Sequence, residues 1–153
     1  MEAPSPKHLI HGAIFLLANR LQMVGDQVMG DITSKQWFAL LAVAQWPGMP
    51  RVTDIAAEIG TSRQNAAKLL EQLAQKGYAA FLKNEEDHRS RRVCLTAKGK
   101  TRMPQISAEG ERSLQRLFEG VQDADIATAG RVLLRLFENA GEMQREDAPH
   151  EKE

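Results

Sequence analysis

A short run of polar residues in the middle of the chain has the side chains that proteins use to read duplex DNA. Arg63, Gln64 and Asn65 follow one another, and Lys68 comes about one helical turn later. An arginine can donate two hydrogen bonds to guanine, and a glutamine or asparagine can pair in the same two-point manner with adenine, whereas a lysine suits a phosphate. Ser62 directly precedes the run and can cap a helix whose free amide groups also favour phosphate. These five residues predict an interface with DNA.

A helix-turn-helix over residues 52–76 would place this run at an exposed helix start. Residues 53–59 predict a short helix that ends at Gly60, because glycine readily takes the left-handed conformation found after helices. A second helix begins after Ser62 and stops at Gly77. Its apolar residues recur at spacings of three and four and must face inward: Ala66, Leu69, Leu70 and Leu73. The opposite face is polar, as in a DNA-reading helix, although an ordinary solvent-facing helix has the same pattern.

A hairpin with a basic tip follows the second helix. Residues 78–82 and 91–95 are strand-like, and they flank a polar tip at residues 84–90. Arg89 at the tip can reach the narrow minor groove, where the negative potential is enhanced, and Asp87 can hold its guanidinium by a charge-assisted hydrogen bond. This order of parts favours the DNA-reading interpretation of the second helix. The candidate DNA contacts of the wing are Asp87, Arg89 and Arg91.

The charge of the chain is distributed unevenly. The formal net charge is zero, which alone argues against electrostatic attraction to nucleic acid. Residues 61–102, however, contain ten lysines and arginines against four acidic residues, so this segment carries a charge of +6 and the remainder −6. A basic segment on an acidic body is typical of a phosphate-facing element, with a merely solvated basic face as the alternative.

Long helices are predicted on both sides of the helix-turn-helix. The first carries a heptad seam at Ile10, Ile14, Leu17, Leu21, Val24 and Val28. A seam of this length extends beyond one small core and predicts packing against a second chain. Thr33 and Gln36 form a capping box that opens the next helix. Thr96 caps a long helical region that passes Pro104, and a last helix follows Asp123.

These elements give a mainly α fold with a small β-wing (α+β). Residues 7–31 and 97–145 form the helical region that supplies the contact with a second chain, and residues 33–96 form the winged helix-turn-helix. The charged residues 146–153 are expected to be a disordered tail.

Other function classes find little support in the sequence. Cys94 is the single cysteine, so no internal disulfide or zinc cluster is expected, and an ordinary strand cysteine is favoured over a redox sensor. The sequence contains no phosphate loop, catalytic triad or paired carboxylates. It therefore predicts that the protein is not an enzyme and has no cofactor or metal site. The apolar runs are too short to span a membrane and no signal-peptide pattern is present, so we expect a cytoplasmic protein.

Two segments resemble the MarR (multiple antibiotic resistance regulator) family of winged-helix transcription factors. Residues 87–99, Asp-His-Arg-Ser-Arg-Arg-Val-Cys-Leu-Thr-Ala-Lys-Gly, are similar to the family's wing signature of Asp-x-Arg-Ser, a basic residue, an apolar strand and Leu-Thr-x-Lys-Gly. Residues 55–63 match the generic helix-turn-helix pattern, with a small residue at Ala56 and a glycine at Gly60. The resemblance extends from the first helix to the last. One departure is the apolar segment 80–82, where many relatives are more charged.

The resemblance implies a repressor that binds a pseudo-palindromic operator as a homodimer, with intertwined N- and C-terminal helices. Its polar run would enter the major groove, and Arg89, supported by Asp87, the minor groove. Relatives are often released from DNA by small aromatic ligands, and Phe15, Trp37 and Phe38 are the candidate lining of such a pocket, with ordinary core positions as the alternative. A module of the same fold that docks proteins rather than DNA is the competing function, although the polar run counts against it.

Overall fold

A computed structural model of the chain describes residues 3–82 and 91–146. In this part of the chain the elements are α1 (Pro6–Val28), α2 (Ser34–Gln45), α3 (Val52–Glu58), α4 (Arg63–Gln75), β1 (Ala79–Leu82), β2 (Arg92–Leu95), α5 (Ala97–Leu117) and α6 (Asp123–Glu146). The two strands pair antiparallel in one small sheet. This mainly helical fold with a single hairpin confirms the predicted fold class.

Side-chain hydrogen bonds explain where α2 and α5 begin. The Thr33 hydroxyl accepts a hydrogen bond from the Gln36 amide (3.2 Å), and the Gln36 side chain accepts one from the Thr33 amide in return. The Thr96 hydroxyl accepts a bond from the Gly99 amide (3.1 Å) at the start of α5. Each bond satisfies an amide group that the helix leaves without a partner. The predicted capping box and the predicted cap at Thr96 are therefore confirmed.

Two glycines end the helices of the helix-turn-helix. Gly60 (φ 65°) and Gly77 (φ 77°) both lie in the left-handed region. After α4 the Tyr78 amide donates to the Leu73 carbonyl (2.9 Å), and the chain makes an equivalent bond after α3. These are Schellman-type helix ends, which satisfy the last carbonyl groups and turn the chain sharply. The predicted turn and the predicted stop after α4 are confirmed.

One hydrophobic core joins α2, α3, α4, the sheet and the first half of α5. Its fully buried side chains include Ile32, Leu40, Ile55, Leu70, Leu73, Val93 and Ile106. The inward face of α4 that the sequence predicts is confirmed by the burial of Ala66, Leu70 and Leu73. Fully burying one such leucine stabilises the fold by about 2 kcal/mol. This face therefore fixes the rotation of α4 about its own axis.

The sheet forms the base of the wing. Ala79 lies opposite Leu95 in the antiparallel pairing. The Val93 amide donates to the Pro50 carbonyl (3.0 Å), which attaches the segment before α3 to the outer edge of β2. Each strand begins one residue later than predicted, at residues 79 and 92. Tyr78 lies outside β1 because its amide closes the end of α4.

α1 is attached to the start of α2 by hydrogen bonds near its C-terminal end. The Ser34 amide donates to Asp26 (2.6 Å), and the Ser34 hydroxyl donates to the Gln22 carbonyl (3.2 Å). Gly25 lies so close to Ser34 that a Cβ atom there would collide with the serine side chain. None of the 23 residues of α1 is buried, and seam residues such as Leu17 stay exposed in the single chain.

The chain divides into two compact units, Met1–Ser113 and Leu114–Glu153, so the division falls inside α5. α5 continues through Pro104. In the second unit, α6 has no buried residue among those described and exposes the apolar side chains Val132, Leu133, Leu136 and Phe137. The predicted domain limits, 7–31 with 97–145 and 33–96, stay a prediction. Residues 147–153 of the predicted tail lie outside the described residues.

Candidate nucleic-acid interface

The first turns of α4 present the polar run identified in the sequence to solvent. The Ser62 hydroxyl accepts a hydrogen bond from the Asn65 amide (3.2 Å), which caps the helix as predicted. Neither Arg63 nor Lys68 forms an ion pair within residues 3–82 and 91–146. The structure therefore brings together, on one helix start, side chains able to contact bases and phosphates. All five are exposed: Ser62, Arg63, Gln64, Asn65 and Lys68.

A polar cluster holds the other end of α4. Lys76 Nζ donates to Gln36 Oε1 (2.8 Å), and Gln36 Nε2 donates to Gln72 Oε1 (2.9 Å). The Tyr78 hydroxyl donates to the Asp31 carboxylate. Gln36 and Tyr78 are almost fully buried, so these bonds satisfy polar groups that would otherwise destabilise the interior. The cluster ties α4 to α2 and to the segment after α1, and it helps to fix where the polar face of α4 points.

The hydrogen bond between Tyr78 and Asp31 also shifts two pKa values. It lowers the pKa of the Asp31 carboxyl because it stabilises the charged form; partial burial opposes this shift, and the charges of Arg102 and Lys76 add to it. The same bond raises the pKa of Tyr78. The sequence gives no sign of this cluster, because Asp31 and Tyr78 lie 47 residues apart and no local pattern connects them.

The described part of the wing places Arg91 against α4. Its Nη1 atom lies 2.8 Å from Glu71 Oε1, and its guanidinium lies 3.9 Å from the centre of the Phe81 ring. Asp87 and Arg89, the other wing residues predicted to contact DNA, lie outside the described residues. The structure thus brings Arg91 to the polar face of α4, while the roles of Asp87 and Arg89 stay predictions.

Arg51 is a cation beside the wing that sequence analysis missed. It lies at the start of α3, and its backbone forms an isolated antiparallel β-bridge with Arg92 of β2. Its guanidinium is 3.0 Å from the Asp54 carboxylate. The hydrogen bond from Arg51 lowers the pKa of Asp54, and the same bond raises the pKa of Arg51. The acidic residue three positions after Arg51 is the sequence signal that could have revealed this pair.

The three aromatic residues predicted to line a ligand pocket lie in two different environments. Trp37 is in the core, with 9% of its surface exposed, whereas Phe15 and Phe38 are 61% and 59% exposed. Trp37 therefore already contributes to the core of a single chain. A pocket lined by all three side chains stays a prediction.

Three side chains of the types that bind metal ions, His8, His11 and Cys94, lie within the described residues. His8 is hydrogen-bonded to the Ser5 hydroxyl (2.8 Å), and His11 packs edge-on against Phe15 with 5.0 Å between ring centres. Cys94 is half-buried in the sheet. Across the ranges that the structure describes, no three His, Cys, Asp or Glu residues are grouped so as to hold a metal ion. None of the described helices combines the length and apolar character needed to cross a bilayer.

Comparison with known proteins gives matches in both sequence and fold. Residues 30–90 match the sequence profile of the MarR family. The uncharacterized HTH-type transcriptional regulator YybA of Bacillus subtilis (strain 168) is 27% identical over 109 residues, which make up 71% of this chain and 72% of YybA.

Two solved regulators share the fold. The PcaV transcriptional regulator of Streptomyces coelicolor, solved with its natural ligand, superposes with a TM-score of 0.78 at 19% identity, over 92% of this chain and 99% of PcaV. The transcriptional regulator MOSR of M. tuberculosis, solved with DNA, gives a TM-score of 0.75 at 20% identity, over 86% of this chain and 95% of MOSR.

The family match spans α2, α3, α4 and the wing up to residue 90, which are the elements that position the polar run. The resemblance seen in the sequence is thereby confirmed, and the proteins matched are transcriptional regulators rather than enzymes. Residues 30–90 are thus similar to a MarR-family domain, and the chain shares the winged-helix fold of the solved regulators.

Proposed function

We propose that this protein is a sequence-specific repressor that binds a pseudo-palindromic operator as a homodimer and is released by a small-molecule ligand. The observation that carries the proposal is the exposed start of α4, with Arg63, Gln64 and Asn65 on a winged-helix scaffold. The N-terminal residues of such a helix are the ones that reach base edges in a major groove. A protein-docking module would instead be expected to expose an apolar or acidic face here.

Each polar residue of α4 has a role that follows from its chemistry. Arg63 donates to guanine, and Gln64 or Asn65 pairs with adenine. Lys68, one turn further along, contacts a phosphate, and the capped helix start at Ser62 adds backbone amides that favour a phosphate. In the wing, Arg89 enters the minor groove with Asp87 as its support.

Homodimer formation is supported by apolar surface that a single chain leaves exposed. On α1 the exposed side chains include Leu17, Leu21 and Val24, all members of the heptad seam. On α6 they include Leu133 and Phe137. Extended rows of exposed apolar side chains are unusual on monomers and mark contact surfaces. Two-fold pairing would present two copies of α4 to half-sites separated by about one turn of DNA, roughly 34–36 Å.

Release by a ligand is supported by less direct observations. PcaV, which shares the fold, was solved with its natural ligand. In this chain Phe15 and Phe38 are aromatic side chains left exposed on α1 and α2, and Trp37 lies beside Phe38 in sequence. A ligand held among them would reduce DNA binding if it bound more tightly to a form of the dimer whose α4 helices do not match the DNA spacing.

The test is selection of genomic fragments by the purified protein, followed by sequencing. We expect the recovered fragments to share an inverted repeat with half-sites about one helical turn apart. A variant with both Arg63→Ala and Gln64→Ala is the control, and we expect it to recover no such repeat. Recovery of random fragments alone by the unaltered protein would contradict sequence-specific binding. A monomer at micromolar concentration in sedimentation analysis would contradict the dimer.

A further inference from the structure

A negative charge lies on the polar face of α4. Glu71 follows Gln64 by seven residues and Lys68 by three, so it shares the face that is proposed to meet DNA. Its side chain is 48% exposed. A carboxylate on that face repels phosphates unless a cation compensates its charge.

Arg91 supplies the cation from the base of the wing. Its guanidinium is held from two sides, since Nη1 contacts Glu71 Oε1 at 2.8 Å and the group lies 3.9 Å from the centre of the Phe81 ring. A planar guanidinium is well suited to bind a carboxylate and an aromatic ring simultaneously. The side chain is still 53% exposed, so a phosphate can approach it.

We propose that Glu71 competes with the phosphate backbone for Arg91 and thereby limits the affinity of the protein for DNA of any sequence. This inference rests on the proposed function. In the unaltered protein Arg91 stays with Glu71 and neutralises no phosphate. Glu71 acts through Arg91 and is therefore a positioning residue, whereas Arg63 and Lys68 have no such acidic partner within the described residues.

The salt dependence of binding separates this arrangement from a direct phosphate contact. Each phosphate that a protein cation neutralises steepens the plot of log affinity against log salt concentration by about one unit. If Arg91 already contacts a phosphate, removal of its charge makes the plot shallower. If Glu71 holds it back, removal of the Glu71 charge makes the plot steeper.

The experiment uses the full chain and a labelled duplex of mixed sequence, titrated at several salt concentrations. We expect Glu71→Gln to bind about fivefold more tightly near 0.1 M salt, with a slope steeper by about one unit, because one phosphate contact is gained. Arg91→Ala leaves the Glu71 charge uncompensated and should bind DNA more weakly than the unaltered protein. The double variant should keep the slope of the unaltered protein, since the gain from Glu71→Gln requires Arg91.

Two further variants control for the change in net charge and for loss of the fold. Glu58→Gln removes an exposed acidic residue from α3 and reports the effect of net charge alone. Arg91→Met retains a long side chain that can pack on Phe81 and replaces Arg91→Ala if the alanine variant loses its fold, as judged by its melting temperature.

A slope lowered by about one unit when Glu71→Gln is combined with Arg91→Ala or Arg91→Met would overturn the proposal, because Arg91 would then contact a phosphate already. Equal behaviour of Glu71→Gln and Glu58→Gln would also overturn it. In both cases the unaltered protein still binds DNA, so the proposed function survives. Absence of DNA binding by the folded, unaltered protein would overturn the proposed function itself.

Discussion

The helices α4 and α1 make opposite use of their apolar side chains. α4 buries Ala66, Leu70 and Leu73 within its own chain and leaves its polar residues to solvent. α1 has no buried residue, and its seam residue Leu17 is 49% exposed. The winged helix therefore completes its core in one chain, whereas α1 needs another surface to cover its apolar face.

This difference indicates separate roles for α4 and α1 in the proposed function. A reading helix must keep its orientation, and α4 is held by the core along its inward face and by the Asp31–Tyr78 cluster at its end. In the proposed dimer, the apolar face of α1 makes the contact that sets the spacing between two reading helices. Substitutions in α4 and substitutions in α1 should therefore be detected by different measurements.

The largest expected effect is on the stability of the winged helix. Leu70→Ala should lower the free energy of unfolding by about 3 kcal/mol, because it removes buried methyl groups and leaves a cavity. Leu17→Ala, at an exposed position, should cost well under about 1 kcal/mol when unfolding is measured at a protein concentration low enough to populate monomer. Urea denaturation of both variants gives the comparison. Equal losses would show that α1 belongs to the same single-chain core.

The next effect is on association. Leu17→Glu places a charge in the seam and should weaken the dimer about 100-fold, because an unpaired charge is costly to bury. Gln27→Glu, at an exposed polar position of the same helix, is the matched control. Sedimentation equilibrium measures both dissociation constants. If Leu17→Glu dimerises as tightly as the control, the seam is not part of the dimer interface.

A smaller effect concerns the cap of α4. Ser62→Ala should destabilise the winged helix by about 1 kcal/mol, because the Asn65 amide loses its partner, whereas Ser62→Asn should restore most of the loss. Thermal unfolding of the two variants is the measurement. If alanine and asparagine behave alike, the hydroxyl does not act as a cap.

The smallest expected effect is the pH dependence at Asp31. Its pKa is lower in the folded state, so the stability it contributes is present above its unfolded pKa and is lost as the pH falls through the folded pKa. Because the side chain is half-exposed, the contribution should stay under about 1 kcal/mol. Denaturation at pH 7 and pH 3 should show a smaller difference for Asp31→Asn than for the unaltered protein. An unchanged difference would assign the pH dependence to other carboxyl groups.

Local patterns in the sequence predict most of the fold. The capping box at Thr33 and Gln36 depends on residues three positions apart, and the helix ends at Gly60 and Gly77 depend on one residue type. The apolar face of α4 follows from the helical repeat. The exposed polar start of that helix is predicted by the same argument, since residues opposite the buried face must point to solvent.

Contacts between distant residues were not predictable in the same way. Tyr78 and Asp31 are 47 positions apart, and Arg91 and Glu71 are 20 positions apart. Arg91 was predicted to contact DNA because of its charge and its position in the wing. Its pairing with Glu71 depends on how the base of the wing packs beside α4, which is a property of the folded chain.

The central claim is that the first turn of α4 reads base sequence. The most direct measurement is the affinity of Arg63→Ala for a selected operator fragment and for the same fragment with single base changes, with Arg112→Ala as a matched loss of an exposed arginine from α5. We expect Arg63→Ala to lose about 1–3 kcal/mol on the operator and to stop discriminating at one base position, while Arg112→Ala keeps the full discrimination. Full discrimination by Arg63→Ala at every position would contradict this claim.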